Sequence, residues 1–309
     1  LAGAHAVKFQ TYKASKLASK FSPAYWDMKE EVTNSQYQLF KKYDSFGRQQ
    51  YMALSDYCSS IGISFCSTAF DFDSADYLEE LMEVYKISSS DLTNLPFIKY
   101  QAEKNKTMIL SVGAGNLSEI SKAIETIRAV NDKPLVVCHC VLEYPTPYSE
   151  ANLSRIVSLK SQFPGVYIGY SDHCKPDSNC DVIKTAYLLG AKLVEKHFTL
   201  DKTLPGNDHY HSMDPDDVKK IIEGIGFIDN LMGKPSLNYL DGEASARLNA
   251  RRSIVSNCRI NKGDRVTREM LTFKRPGTGI SPSEIDFLVG KTALFDIAED
   301  KTLTWDMFV

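Results

Sequence analysis

The sequence predicts an α/β protein built on a (β/α)8-type, TIM-like barrel and followed by a small β-rich domain. Seven short apolar or β-branched runs alternate with longer stretches of helical periodicity, which is the pattern of repeated βα units around a parallel sheet. After residue 232 the sequence pattern changes to short predicted strands among turn-rich segments. Seven units are one short of the eight in a complete barrel.

The predicted strands share β-branched or apolar character and end in polar residues. They are 5–10, 63–68, 84–88, 108–112, 135–140, 166–171 and 193–199. The predicted helices carry apolar residues at helical spacing and are 46–60, 73–82, 117–130, 153–162, 181–189 and 215–232. Residues 1–4 read as a helix end with its glycine turn, so we expect the first strand and helix of the barrel to be missing. The alternative is an open, doubly wound sheet of seven strands, which differs by a change in strand order.

The domain boundary is predicted from composition. We assign residues 1–235 to the barrel, 236–248 to a polar linker and 249–309 to the small domain. Short strands are expected there at 253–255, 271–274 and 292–295. About 60 residues is close to the lower limit for independent folding.

Composition excludes several classes of protein. Of 309 residues, 43% are apolar and 24% charged, which is ordinary globular usage. The net charge of −3 provides no field for nucleic acid or an anionic membrane, and no 18-residue apolar window could span a bilayer. Seven scattered cysteines are typical of reduced thiols, so we expect a soluble, cytoplasmic protein.

Two lysines are predicted to point into the barrel. Lys8 shares its parity with Gln10 on the first strand, and Lys86 lies on the third. A buried lysine needs an anionic partner, and a bound phosphate or carboxylate ligand would serve. The alternative is a pair of structural salt bridges to inward carboxylates.

Hydroxyl side chains follow several strands, where they could donate to phosphate oxygens. They are Ser67, Thr68, Ser89, Ser111 and Ser171. The chain has no phosphate-binding glycine loop or dinucleotide-binding glycine pattern, so nucleotide binding is not indicated.

Two histidines, His173 and His197, follow neighbouring strands and could share a divalent metal such as Mn²⁺, Co²⁺ or Zn²⁺. Satisfied core histidines are the alternative. His209 and His211 compete for the same role, with Asp208 as the better hydrogen-bonding partner beside them. A zinc–thiolate site around His139 with Cys174 and Cys180 is disfavoured, because one strand offers only a C-x-C pair and no second pair has the spacing of a structural site. A cysteine–histidine nucleophile is also disfavoured, since six histidines and seven cysteines in one chain produce chance neighbours.

Many short motifs in order resemble the sialic acid synthase family, which includes N-acetylneuraminate, legionaminate and pseudaminate synthases and spore-coat polysaccharide relatives. In the barrel they are VKFQ (7–10), STAF (67–70), YKISS (85–89), ILSVG (109–113), HC (139–140), YPTPY (144–148), GYSDH (169–173), EKHFT (195–199) and SMDP (212–215). In the tail, ARRSIV (250–255) and KRPGTG (274–279) resemble the family's antifreeze-like (SAF) domain.

The resemblance implies a condensation of phosphoenolpyruvate with an open-chain N-acyl hexosamine, N-acetylmannosamine or a related sugar, in surface polysaccharide biosynthesis. The products are a nine-carbon 2-keto sugar acid and phosphate. It further implies a divalent metal, Mn²⁺ with Mg²⁺ or Co²⁺ as alternatives, and a domain-swapped homodimer.

By the same resemblance, each matching position acquires an expected role. Phosphoenolpyruvate is expected to contact Lys8, Gln10, Thr68, Lys86, Ser89, Ser111 and Ser171. The metal is expected at His173 and His197, and the sugar at Tyr144, Asp208 and Arg275, the last reaching the partner subunit's site. Catalysis is assigned to Lys8, Lys86 and Asp91, with Asp91 as proton shuttle.

Three departures from the family pattern bear on this expectation. The family's A-E-I-G motif with its catalytic glutamate has no counterpart in the sequence, Asp91 stands where the family often has glutamate, and Leu142 where some members are polar. Two other functions therefore stay open. One is a different phosphoenolpyruvate-condensing barrel, and the other is a catalytically impaired relative that binds sugar or phosphoenolpyruvate.

Overall fold

The strands of the first unit run parallel and pair in chain order. The computed structural model describes residues 2–26, 28–29, 31–206 and 208–309, and it divides into the units Leu1–Gly233 and Lys234–Val309. In the first unit the strands are β1 (Ala6–Thr11), β2 (Ser64–Ala69), β3 (Val84–Ile87), β4 (Thr107–Ser111), β5 (Leu135–Cys140), β6 (Tyr167–Asp172) and β7 (Leu193–Lys196). β1 pairs with β2, and β3 to β7 form one ladder.

This strand order confirms the barrel-type prediction. A doubly wound sheet would reverse its strand order at one point, and the described ladders contain no such reversal. Every strand predicted in the barrel is present, although β7 ends at Lys196 rather than at residue 199.

Helices cover the outside of the strands, as the apolar periodicity predicts. They are α1 (Ala14–Leu17), α2 (Gln36–Tyr43), α3 (Arg48–Ser60), α4 (Phe72–Leu78), α5 (Leu95–Ala102), α6 (Leu117–Arg128), α7 (Ser154–Gln162), α8 (Asp181–Leu188) and α9 (Pro215–Met232). α1, α2 and α5 were not predicted. In α5, Pro96 lies in the first turn, where a missing N–H is tolerated.

Alternation along the strands separates the core from the barrel interior. On β3, Tyr85 and Ile87 pack in the main hydrophobic core, whereas Lys86 between them faces inward. On β1, Val7 and Phe9 likewise pack on the core, and Lys8 and Gln10 line a cavity. The predicted parity of the lysines is thus confirmed.

The second unit has its own small core around Ile254, Leu288 and Leu303. It contains α10 (Ala244–Ala250), the antiparallel pair β8 (Ser253–Ser256) and β9 (Leu271–Lys274), and α11 (Ile285–Leu288). The strand predicted at 292–295 is wrong, because its residues make isolated bridges instead of a ladder. The segment expected as a linker, 236–248, includes a 3₁₀ turn and the start of α10.

Two general findings complete the fold. All seven cysteines lie in the described part of the chain and are free thiols. None of the described helices is long and apolar enough to cross a membrane.

Candidate functional site

A cavity of about 540 Å³ opens where the barrel strands end. Eleven of the residues expected at a site line it: Lys8, Gln10, Thr68, Lys86, Ser89, Ser111, Tyr144, Ser171, His173, His197 and Asp208. The strand ends of a parallel barrel are the usual place for an active site.

Glu195 on β7 connects the two inward lysines at the cavity floor. One carboxylate oxygen contacts Lys8 Nζ, and the other lies 2.7 Å from Lys86 Nζ. The side chains of Lys86 and Glu195 are 3% and 18% exposed. The lysines therefore have the inward carboxylate partner that the alternative prediction required.

Burial and charge act against each other in this triad. Burial alone would raise the pKa of Glu195, but Lys86 and Lys8 outweigh it and hold that pKa well below its ordinary value. Burial, and next the repulsion of Lys86, lower the pKa of Lys8. Burial also opposes the charge of Lys86, but Glu195 overcomes it and raises the pKa of Lys86. The carboxylate is ionised, and it favours the charged form of both lysines.

Sequence reasoning did not single out Glu195, although a signal for it was available. Residues alternate along β7, and its neighbour Lys196 pairs with Asp172 on the other face at 2.7 Å. Two inward lysines needed an inward acid, and Glu195 sits in the EKHFT motif itself.

The hydroxyl groups around this floor differ in their partners. Ser171 Oγ donates to Glu195 Oε1 at 3.2 Å, and Ser89 Oγ accepts from the Gly113 N–H at 2.9 Å. Ser111 Oγ is buried and has no hydrogen-bond partner among the described residues. A buried hydroxyl without a partner is costly, and an anion bound at the floor would satisfy it.

Gly113 allows the backbone after β4 to approach Ser89 and Cys140 closely. A Cβ there would lie 2.9 Å from Ser89 Oγ and 3.2 Å from Cys140 Sγ. The absence of a side chain lets the backbone N–H reach Ser89 beside the lysine floor.

Two imidazoles form the next layer of the cavity. The rings of His173 and His197 lie 5.3 Å apart, and Tyr144 packs on His173 with centroids at 4.2 Å. His173 Nδ1 is 2.6 Å from the Val141 carbonyl, so it donates there and leaves Nε2 with its lone pair. His197 Nδ1 lies 3.6 Å from Asp208 Oδ2.

This pair fits a divalent metal in its chemistry. Burial, and then His197, lower the pKa of His173 to about 3, so that its ring is the neutral form that ligates metals. Among the described residues, no group of three or more His, Cys, Asp or Glu side chains is arranged to hold a metal. A metal here would have two imidazole ligands, with oxygen ligands from water or substrate completing its shell.

The outer part of the cavity is aromatic and acidic. The described lining there includes the aromatic side chains of Tyr12, Tyr25, Trp26, Phe40 and Tyr43. Its charged members away from the floor and the histidines are Glu31, Glu143 and Asp208. Within the described lining, Lys8 and Lys86 are the only lysines, and no arginine is present.

Two expected site residues are not part of the described cavity lining. Asp91 lies in a 3₁₀ turn after β3, where its carboxylate accepts from Asn94 Nδ2 at 3.1 Å and burial raises its pKa. Arg275 follows β9 in the second unit. Leu142 does line the cavity and presents an apolar side chain there.

The thiol alternatives receive no support from the geometry. His139 Nε2 is 2.8 Å from the Ala151 carbonyl, and its ring stacks on Tyr170. Burial raises the pKa of Cys138 to about 12 and also raises that of Cys140. Neither thiol is therefore prepared to act as a thiolate ligand or nucleophile.

Comparisons with known proteins cover the whole chain. The NeuB family profile matches residues 1–236, and the SAF domain profile matches residues 251–309. An N,N'-diacetyllegionaminic acid synthase of Legionella pneumophila is 36% identical over 311 aligned residues, spanning 98% of this chain and 86% of the relative.

Solved structures agree with these matches. An N-acetylneuraminic acid (sialic acid) synthetase from Leptospira borgpetersenii, in complex with citrate, is 31% identical with a TM-score of 0.70, over 79% of this chain and 80% of that one. A putative spore coat polysaccharide biosynthesis protein E from Chromobacterium violaceum is 25% identical with a TM-score of 0.81, over 98% and 89%.

Proposed function

This chain belongs to the NeuB family, and from that premise we propose that it is a sugar acid synthase. It condenses phosphoenolpyruvate with an open-chain N-acyl hexosamine and water, and it releases a nine-carbon 2-keto sugar acid and phosphate. The observation that carries the proposal is the cavity floor, where Lys8 and Lys86 face inward beside Ser111, a buried hydroxyl without a partner among the described residues. The name of the Legionella relative supports the same class of reaction.

Phosphoenolpyruvate is proposed to bind at this floor. Its phosphate and carboxylate take the N–H donors of Lys8 and Lys86, and Ser111 Oγ donates its otherwise unpaired proton. Gln10, Thr68, Ser89 and Ser171 complete the set at the edge of the floor. Because Glu195 remains between the lysines, it keeps both ammonium groups oriented while they hold the anion.

The reaction joins C3 of phosphoenolpyruvate to the aldehyde carbon of the sugar. A water oxygen adds to C2, and the C2–O bond breaks so that phosphate departs with the bridging oxygen. One water proton ends on the new hydroxyl group of the sugar carbon and the other on phosphate, so that atoms and charge balance. The two lysines donate hydrogen bonds to the departing phosphate and stabilise its growing charge. Asp91 is retained from the resemblance as the proton carrier, with burial already raising its pKa.

The metal is proposed to be a divalent ion, Mn²⁺ first, with Mg²⁺ and Co²⁺ as alternatives. His173 and His197 would hold it through nitrogens left free by the Val141 carbonyl and the Asp208 carboxylate. When bound, it supplies Lewis-acid polarisation of the sugar aldehyde and orients water.

The acceptor is proposed to be an unphosphorylated sugar. The outer cavity presents Glu31, Glu143 and Asp208, and both cations of the described lining are already engaged at the floor. A sugar phosphate would be repelled by the carboxylates of Glu143 and Asp208, and Lys42, near the outer cavity, is already paired with Glu31 at 2.8 Å. Tyr144 and the aromatic wall suit a neutral acylated sugar. Arg275 is proposed to add the contact to the N-acyl group from the partner subunit of a domain-swapped homodimer.

The experiment offers phosphoenolpyruvate with a panel of N-acyl hexosamines and their 6-phosphates, and it measures phosphate released with Mn²⁺ and with chelator. Release that requires a sugar supports the synthase, and a clear preference for unphosphorylated sugars supports the acceptor. Binding of both substrates without release of phosphate would instead favour an impaired binding protein.

We also propose a cytoplasmic location, since seven free thiols suit a reducing compartment.

A further inference from the structure

We propose that His211 is a positioning residue that acts on His197 through Asp208. His211 belongs to the 3₁₀ helix His209–His211, and its ring lies 5.4 Å from that of His197. The inference rests on the proposed function, because it assigns His211 to the metal that His173 and His197 would bind.

The carboxylate of Asp208 lies midway between two imidazoles. Its Oδ2 is 3.6 Å from His197 Nδ1, and its Oδ1 is 3.6 Å from His211 Nε2. Each distance is a few tenths of an ångström too long for a hydrogen bond, so a small movement would form both. Hydrogen bonds at catalytic sites are often long before ligands bind.

No hydrogen bond among the described residues explains why position 211 carries a polar side chain. Its side chain is 0% exposed, and neither ring nitrogen has a hydrogen-bond partner among the described residues. A phenylalanine would fill similar space without burying two unpaired nitrogens. A buried polar ring of this kind calls for a function, and here the Asp208 carboxylate lies 3.6 Å from its Nε2.

His211 is held in place by its packing, whereas the carboxylate of Asp208 is exposed and needs a partner to orient it. His211 is packed edge-on against Tyr210 at 5.1 Å and lies 6.0 Å from Tyr144. The carboxylate of Asp208 is 56% exposed at the cavity, although Ser212 Oγ donates to its backbone carbonyl at 2.7 Å. A fixed imidazole behind an exposed carboxylate restricts its rotation.

The expected consequence is a fixed ring at His197. A carboxylate that accepts from Nδ1–H leaves Nε2 with its lone pair and holds the ring plane, which is the usual support of a metal-binding histidine. His173 receives the equivalent support from the Val141 carbonyl. His211 does not itself complete a metal cluster, because the described residues contain no such group of three.

The test measures binding of Mn²⁺ alone by titration calorimetry in four variants of the full chain. His211→Phe should weaken Mn²⁺ binding 10- to 100-fold, the range found for lost outer-shell partners. His211→Gln, which keeps an N–H donor, should recover most of this loss. In Asp208→Asn, adding His211→Phe should cause little further loss, because the effect passes through the carboxylate.

Two controls separate positioning from a merely structural role. The melting temperature of His211→Phe should not fall, since the variant removes unpaired buried nitrogens. His139→Phe replaces another fully buried histidine, outside the cavity lining, and should leave Mn²⁺ affinity unchanged.

Unchanged Mn²⁺ affinity in His211→Phe, or a wild-type chain that binds no Mn²⁺, would overturn this inference. The same holds if His211→Gln binds Mn²⁺ as weakly as His211→Phe. Failure of the proposed function is distinguishable, because it would appear as Mn²⁺ binding that responds to His211 without any phosphate release.

Discussion

Replacing Glu195 by glutamine should destabilise the free protein and make its stability depend on a bound anion. The substitution keeps the shape of the side chain and removes the charge that lies between Lys8 and Lys86. The two ammonium groups then share the floor without their common carboxylate, and Ser171 Oγ, which donates to Glu195, loses its charged acceptor. One lysine must lose its proton or the floor must open.

The magnitude follows from the burial of the pair. Lys86 is 3% exposed and contacts Glu195 at 2.7 Å, so the interaction is not a surface salt bridge. Removing one partner of a buried ion pair costs about 3–5 kcal/mol, because it leaves an uncompensated charge. For a unit of this size the melting temperature should fall by roughly 6–20 °C.

Differential scanning calorimetry at pH 7 provides the assay, with Glu143→Gln as the matched control. Glu143 is an exposed carboxylate on the same cavity, and its removal should shift the melting temperature by about 1–2 °C at most. Inorganic phosphate should raise the melting temperature of Glu195→Gln more than that of the wild type, because it replaces the missing charge.

The pH dependence gives an independent check with a defined sign. The folded pKa of Glu195 lies below its ordinary 4.5, so its contribution is complete above that pH and declines as the pH falls towards the folded pKa. The stability gap between wild type and Glu195→Gln should therefore narrow below about pH 4.5. Equal melting temperatures at pH 7, or a gap that does not respond to phosphate, would refute the reasoning.

Three further outcomes are expected. His173→Ala should abolish metal-stimulated phosphate release, and full retained activity would contradict the metal assignment. Gly113→Ala places a Cβ 2.9 Å from Ser89 Oγ and 3.2 Å from Cys140 Sγ. The KM for phosphoenolpyruvate should therefore rise about tenfold, and the KM for the sugar should change less. Equal changes in the two KM values would count against phosphoenolpyruvate binding at this floor. Arg275→Ala should raise the KM of the sugar more than that of phosphoenolpyruvate, and equal effects would argue against the cross-subunit contact.

The strands of the barrel were predictable because they form short runs of apolar and β-branched residues between turn residues. β3, β5 and β6 are buried along most of their length, whereas β1 and β7 are only partly buried. Helix α6 was equally clear, since Ile120, Ala123, Ile124 and Ile127 mark its buried face. Helix α5 was missed because Pro96 reads as a breaker unless its place in the first turn is known. The predicted end of β7 lies three residues too far along the chain. The EKHFT motif (195–199) contains no turn residue that marks the strand end, whereas the ladder to β6 stops at Lys196.

The candidate site was predictable to the extent that alternation along a strand determines which side chains point into the barrel. Parity on β1 and β3 placed Lys8 and Lys86 in the interior, and strand-end positions placed His173 and His197 near each other. The partner of the lysines, Glu195, lies 109 and more residues away in sequence; the need for an inward acid was readable, but its identity becomes evident only once β7 is placed beside the lysine strands in the fold. The burial of His211 likewise depends on how its loop folds back, which local sequence does not encode.

The most direct measurement of the central claim is a stoichiometric one. Purified protein with Mn²⁺, phosphoenolpyruvate and an unphosphorylated N-acyl hexosamine should release one phosphate for each 2-keto sugar acid formed, with no release when the sugar is left out. Phosphate release that ignores the sugar, or saturable binding of both substrates with no product in any member of the panel, would contradict the account.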